Sequence, residues 1–241
     1  YKLRCFRVGR LEYMPTPNTS YNIQVFRHRT DGRIQALIGD AAGRFDRDGW
    51  RMFQAEDPAH AVISGGYVMT PDRIVGIGFH PNGRAASEPV KVELAEWERV
   101  LRPDDPVLGM HIPEGGAMTP DKCRDSLVRA LAFFDRYFPE LRPKAVCCMS
   151  WIFWPWYQEV IPESNIAKFQ RMLHLYPSPS AGNDGEYFIF GRADKRYDEY
   201  GRDNSMRRLL LSLLEAGKPL RAGGMFLLRE EIERLGPAAA R

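Results

Sequence analysis

Along the first hundred residues apolar and polar positions alternate in short stretches broken by glycine and proline. That texture predicts strands joined by tight turns. "LRCFRVGRLEYMP" (residues 3–15) reads as one strand, and "YNIQVFRHRTDGRIQALI" (21–38) as a hairpin with Asp31-Gly32 at its tip. "AVISGGYVMTPDRIVGIGFHPNGR" (61–84) continues in that style, with turns at Pro71-Asp72 and Pro81-Asn82-Gly83. "VKVELAEWERVL" (90–101) begins as a strand and ends in a pattern open to a short helix.

From residue 103 the period changes. "DPVLGMHIP" reads as a strand; Thr119-Pro120 then signals a helix cap with proline at the first helical position. Cys123, Leu127, Leu131, Phe134 and Phe138 recur at helical spacing and define one buried stripe, ended by Pro139. "KAVCCMSWIF" (144–153) is a continuous apolar run, which suits a strand covered on both faces. "PWYQEV" and "SNIAKFQRMLHLY" predict helices, the second capped by Ser164, while "GEYFIFG" predicts a strand. "NSMRRLLLSLLEAG" predicts a helix closed by Gly217, and "GGMFLL" a last strand. The order fits an α+β or α/β sheet with helices packed on it. It divides into a β-rich part over 1–102, an α/β part over 103–235 and a disordered tail over 236–241.

Length and composition agree with an ordinary globular chain. The 241 residues are 44% hydrophobic and 27% charged, enough to bury a core. A net charge of +3 with dispersed basic residues argues against a nucleic-acid stripe. No apolar run reaches the length of a membrane span and none has the layout of a signal peptide, so the expected location is the cytoplasm. The first residue is Tyr1 within a strand-like pattern, which suggests a piece of a longer protein. The four cysteines form no C-x-x-C pair. Cys147 and Cys148 would face opposite sides of a strand, so free thiols and no metal are expected.

The chemistry gathers around "MHIPEGGAMTPDKCRDSL" (110–127), a strand that runs through two glycines into a helix. Unpaired N–H groups and the helix dipole at such a corner attract a phosphate, and Gly115-Gly116 let the backbone approach. The stretch carries neither a P-loop lysine nor the dinucleotide fingerprint. On these residues alone it is a tight corner or a phosphate cradle.

Taken in order, "HIPEGG", "CRDSLVRALAFFDRYFPE", "CCMSWIFWP", "ESNIAKFQ" and "LYPSP" resemble the C-terminal GNAT-like domain of bacterial proteins labelled acyltransferases. The likeness spans residues 107–191, and "CFRVGRLEY" looks like the strand that introduces the same domain. It implies the acyl-CoA N-acyltransferase fold, a mixed and largely antiparallel sheet with helices on its faces. A central strand splays from its neighbour there, and the turn after it meets coenzyme A. "PVLGMHI" is then that strand and "KAVCCMSWIF" the neighbour. Ile112, Gly115, Gly116, Ala117, Met118 and Thr119 are the residues expected to hold acyl-CoA or acetyl-CoA. The turn departs from the family's Arg/Gln-x-x-Gly-x-Gly/Ala signature: Pro113 removes one backbone donor and Glu114 places a carboxylate beside the phosphates.

The resemblance implies transfer of an acyl group to an amine, from a small molecule or a peptide, with an N-terminal domain of the same protein as a further partner. A degenerate scaffold that binds or assembles without turnover is the other reading. His111, at the strand end, is a candidate general base or a core histidine bonded to backbone. Ser150 donates to a leaving group or caps the next helix. Asn165 orients substrate or belongs to a helix start. Tyr157 and Tyr176 are candidate proton donors to a thiolate or packing residues, and Trp151, Trp154 and Trp156 wall a pocket or fill the core. A nucleophilic role for Cys148 has no sequence neighbour to lower its pKa.

Overall fold

The computed structural model describes residues 5–53 and 57–236. The start of the first expected strand and the tail beyond Gly236 lie outside the described residues. The opening segment is a hairpin rather than one strand: β1 (Phe6–Val8) pairs antiparallel with β2 (Leu11–Pro17). Gly9 at its tip has a φ of +67°, a left-handed conformation that glycine adopts without a Cβ penalty, and the chain reverses there. β3 (Ile23–His28) and β4 (Ile34–Ile38) form the expected hairpin. The Asp31 carboxylate at its tip accepts the Arg33 N–H at 3.0 Å.

Five short strands follow, β5 (Arg44–Phe45), β6 (Ile63–Ser64), β7 (Tyr67–Met69), β8 (Arg73–Gly76) and β9 (Val90–Glu93), then β10 (Trp97–Leu101). "VKVELAEWERVL" is therefore two strands and holds no helix. A tight turn with Glu96 N–H bonded to Glu93 at 3.0 Å separates them, and β10 is captured by β3.

The remaining elements are β11 (Pro106–His111), α1 (Pro120–Tyr137), β12 (Ala145–Ser150), α2 (Tyr157–Val160), α3 (Asn165–Gln170), β13 (His174–Tyr176), α4 (Glu186–Phe190), α5 (Ser205–Glu215), β14 (Gly223–Leu228) and α6 (Arg229–Leu235). Two expectations fail here. The helix over 164–176 stops at Gln170, because His174–Tyr176 pairs with β14 instead. "GEYFIFG" is the short helix α4, not a strand. Gly185 (φ +84°) and Gly191 (φ +74°) turn the chain at both ends, and Glu186 and Ile189, three residues apart, are the buried pair.

The main sheet has six strands in the order β1-β2-β11-β12-β14-β13. All neighbours are antiparallel except β11 and β12. The fold is α+β. Strands from both sides of residue 102 enter this sheet, so the two sequence textures meet in one layer. On one face Val146, Cys148, Met225 and Leu227 pack against Leu127, Leu131 and Phe134 of α1 and Ile232 of α6. On the other, Ala145, Cys147, Phe226 and Leu228 meet Ile23, Val25, Ala36 and Leu101 of a small β10-β3-β4 sheet. The adjacent cysteines face opposite sides, as strand alternation requires. No helix among the described residues is long and apolar enough to cross a membrane.

Thr119 caps α1, its hydroxyl accepting the Lys122 N–H at 3.4 Å. Further along α1 the buried Ser126 ties the first hairpin to the helix. Its hydroxyl donates to Val8 O, accepts the Leu11 N–H at 3.2 Å and lies 3.0 Å from the Tyr13 hydroxyl. Removing it strands two donors in the core. Ser126→Ala is expected to cost about 2 kcal/mol and to lower the melting temperature; an unchanged melt in thermal denaturation would show the network to be idle.

Candidate functional site

β11 and β12 run side by side only briefly. Their paired residues are Leu108 with Val146 and Gly109 with Cys147, although both strands continue to His111 and Ser150. Each is held away from the other beyond that point. β11 stays paired to β2 as far as His111 opposite Glu12. β12 stays paired to β14 as far as Ser150 opposite Gly223, then enters a tight turn over Trp151–Phe153. Buried Gln170 pins that turn, donating to the carbonyls of Ile152 at 2.7 Å and Trp154 at 3.0 Å. The facing edges beyond Gly109 and Cys147 thus lack ladder partners across the gap, and backbone groups in that state need another partner.

Three adjoining hollows follow the gap. The first, about 360 Å³, lies between the strand ends and is lined by Met110, His111, Ile112, Cys148, Met149, Ser150, Trp151, Asp184 and Phe188, among others. The second, about 440 Å³, shares Ile112, Ser150, Trp151 and Phe188 with it. Its walls are mainly apolar, with Met118, Ile152, Ile166 and Tyr187. The third, about 420 Å³, joins the second at Arg10, Glu114 and Gly115 and adds Arg7, Gly116, Lys122 and Asp125. An apolar slot therefore connects a chamber that holds His111, Ser150 and Asp184 among apolar walls to a corner with three basic side chains.

The expected residues fall unevenly on this path. His111 is exposed at the end of β11 and lines the chamber; Ser150 lines chamber and slot, and its hydroxyl accepts the Ile152 N–H at 3.5 Å. Asn165 is exposed at the first position of α3, beside its cap Ser164, and lines none of the three hollows. Of the corner residues, Ile112, Gly115 and Met118 line the slot and Gly116 the basic hollow. Ala117 and Thr119 line neither, Thr119 serving as the helix cap. Tyr157 and Tyr176 are buried away from the path, and burial pushes both phenols up. Trp151 lines it, whereas Trp154 and Trp156 stack on each other with ring centres 4.6 Å apart. Cys148 reaches the chamber wall, but burial pushes its thiol up to about 12, so it is no nucleophile at neutral pH.

The turn between β11 and α1, residues 112–119, has no basic residue of its own and receives one from elsewhere. Arg10, beside the glycine tip of the first hairpin, donates from Nη1 to Pro113 O at 2.9 Å. Its Nε is buried without a partner, and Nη2 makes no hydrogen bond to the described residues. A Cβ on Gly116 would sit 3.8 Å from the Arg10 stem, and one on Gly115 would meet open space. These groups suit an anion: an orphaned guanidinium edge, Lys122 on the first turn of α1, and a turn bare of side chains on the hollow side. Glu114 and Asp125 at the same hollow temper the charge.

Sequence reasoning missed Arg10, Gln170, Asp184, Tyr187 and Phe188. Arg10 was hidden by treating its hairpin as one strand, although Gly9 before it was the available signal. Tyr187 and Phe188 lie in the stretch whose pattern predicts a strand; they are 64% and 79% exposed on α4 and line the slot. Nothing in the sequence marks Gln170, which acts on a segment distant in the chain; Asp184 bonds within its own turn, and only the tertiary fold brings that turn to the chamber.

The model of a family described as GNAT-like C-terminal domain matches residues 5–227. Among curated proteins none matches the chain. Among solved structures the chain is similar to an acyltransferase in complex with decanoyl-CoA, at 25% identity and a TM-score of 0.48. It is also similar to an acyltransferase with decanoyl-CoA and teicoplanin, at 25% identity and a TM-score of 0.47. A third, with CoA and 10C-teicoplanin, shows 23% identity and a TM-score of 0.49. Each likeness covers 67% of this chain and 46% of the other, so the chain spans less than half the length of those proteins.

Proposed function

The chain belongs to the family of GNAT-like C-terminal domains, and from that premise we propose that it is an N-acyltransferase moving an acyl group from acyl-CoA to an amine. The observation that carries this reading is the separation of β11 from β12 after Gly109 and Cys147. Pantetheine is a chain of amides. It suits a gap whose strand edges offer unpaired backbone donors and acceptors, in the manner of an added strand. The diphosphate of coenzyme A then meets Arg10, Lys122 and Gly115-Gly116, while the thioester lies between His111 and Ser150.

The chemistry follows from these positions. The neutral amine attacks the thioester carbonyl carbon; a C–N bond forms and the C–S bond breaks. His111 takes the proton lost by nitrogen, and Ser150 donates a hydrogen bond to the departing thiolate, which is protonated from solvent through the exposed chamber. Three free, buried thiols and one exposed thiol fit a reducing compartment, and the cytoplasm is the proposed place of action.

Calorimetric titration with acetyl-CoA and longer acyl-CoAs tests the reading. Arg10→Ala is expected to weaken binding about tenfold, the loss of one charge-assisted contact. Absence of heat up to millimolar acyl-CoA would overturn the enzyme reading and leave a scaffold of the same architecture.

A further inference from the structure

We propose that Asp184 selects the acceptor, which is a primary amine bound as its ammonium with an apolar group beside the nitrogen. The proposal rests on the acyl-transfer reading and assigns the substrate class of the same chamber. Among the residues lining that chamber, Asp184 is the only carboxylate; His111 and Ser150 are the other polar side chains capable of proton exchange. Most of the remaining wall is apolar, with Met110, Ile112, Met149, Trp151, Pro179 and Phe188.

The two oxygens of Asp184 differ. Oδ2 accepts from the Ser180 hydroxyl, from the Ala181 N–H at 2.8 Å and from the Gly182 N–H at 3.3 Å. Oδ1 makes no hydrogen bond to the described residues and is the oxygen left for a ligand. The turn that fixes this arrangement is itself anchored. Leu220 N–H bonds to Gly182 O at 2.8 Å, and Asp184 N–H to Leu220 O at 3.4 Å. Three donors on one oxygen hold the carboxylate in a set direction, so little side-chain freedom is lost on binding.

A half-buried carboxylate in mainly apolar walls attracts a cation more strongly than the same group in water does. Its free oxygen accepts an N–H but has no proton to offer, so anions are repelled and carbonyl compounds find no donor there. The apolar lining accepts the substituent next to the nitrogen. Asp184 acts before the transfer step: it holds the ammonium, which releases one proton to solvent through the exposed chamber to become the neutral amine, and His111 takes the second proton as the C–N bond forms.

Phenethylamine, with phenethyl alcohol as its uncharged counterpart, is the probe for a calorimetric titration of the full protein. Asp184→Asn keeps one oxygen for the three donors and replaces the free one with an NH2 group. The expected result is at least tenfold weaker phenethylamine binding, unchanged alcohol binding and a melting temperature close to that of the parent. Met149→Lys, on an exposed side chain of the same chamber, is expected to exclude phenethylamine without touching the Asp184 turn. Equal amine affinity in Asp184→Asn, alcohol bound as tightly as amine, or no amine binding by the parent up to millimolar would each overturn the proposal. Acetyl-CoA titrated into the same samples separates the two ideas. Asp184-dependent amine binding without acetyl-CoA binding preserves this inference and removes the acyl-transfer reading. Acetyl-CoA binding with indifference to Asp184→Asn does the reverse.

Discussion

His111→Ala is expected to lower turnover at least 100-fold while leaving acyl-CoA affinity within twofold. In the proposed transfer the amine must lose a proton as the C–N bond forms, and a positioned base contributes about 10²- to 10⁴-fold to such a step. A 100-fold loss corresponds to ~2.7 kcal/mol of transition-state stabilisation. The side chain is exposed at the end of β11, so its removal opens no core cavity and the affinity control is meaningful. The measurement is thiol release from acetyl-CoA or decanoyl-CoA with phenethylamine as acceptor, beside calorimetry with the acyl-CoA alone. Full turnover in the variant would move the base elsewhere along the chamber; a parallel loss of acyl-CoA affinity would mean that the residue shapes the donor slot instead.

The second large effect concerns stability. β14 begins with Gly223 and Gly224 at the point where the chain leaving β12 crosses over it. A Cβ on Gly223 would overlap the carbonyl oxygen of Phe153, and one on Gly224 would overlap the ring of buried Tyr176. Neither obstacle is the far end of a flexible side chain. Overpacking of this kind costs ~3 kcal/mol, which for a chain of this length lowers the melting temperature by roughly 6–12 °C. Gly224→Ala is expected to show this loss, and Tyr176→Ala combined with it should lose less than the sum of the single changes, because the two share one space. A melt for Gly224→Ala within a degree of the parent would show that the strands shift apart freely. The gap at β12 then could not be the rigid feature that the proposed acyl transfer uses.

Some of this was legible in the sequence for local reasons. Thr119-Pro120 and the stripe from Cys123 to Phe134 specify α1 without outside help, since cap, first-turn proline and apolar period agree. Asp31-Gly32 specifies its hairpin in the same way. The candidate site was legible where it lies on those elements: the end of β11, the paired glycines, and Ser150 after an apolar strand. It was illegible where a partner from afar decides. "SNIAKFQRMLHLY" carries helical period throughout, yet its last residues become an edge strand because β14 offers an unpaired edge there. Asn165 shares a short motif with a useful side chain, Ile166, but its own position on α3 points it to solvent rather than the slot.

The amino-acid order alone therefore determined a sheet with helices packed on it, the strand–glycine–helix corner and its family likeness, all of which depend on neighbours a few residues apart. Tertiary structure decided that β11 and β12 part company, that Arg10 brings a charge to the turn before α1, and that Asp184 and His111 line one chamber. Those outcomes depend on hydrogen bonds and packing between residues far apart in the chain, such as Gln170 with Ile152 and Arg10 with Pro113. Periodicity carries no record of such pairs, because it reports which face of an element is buried and not what lies against it.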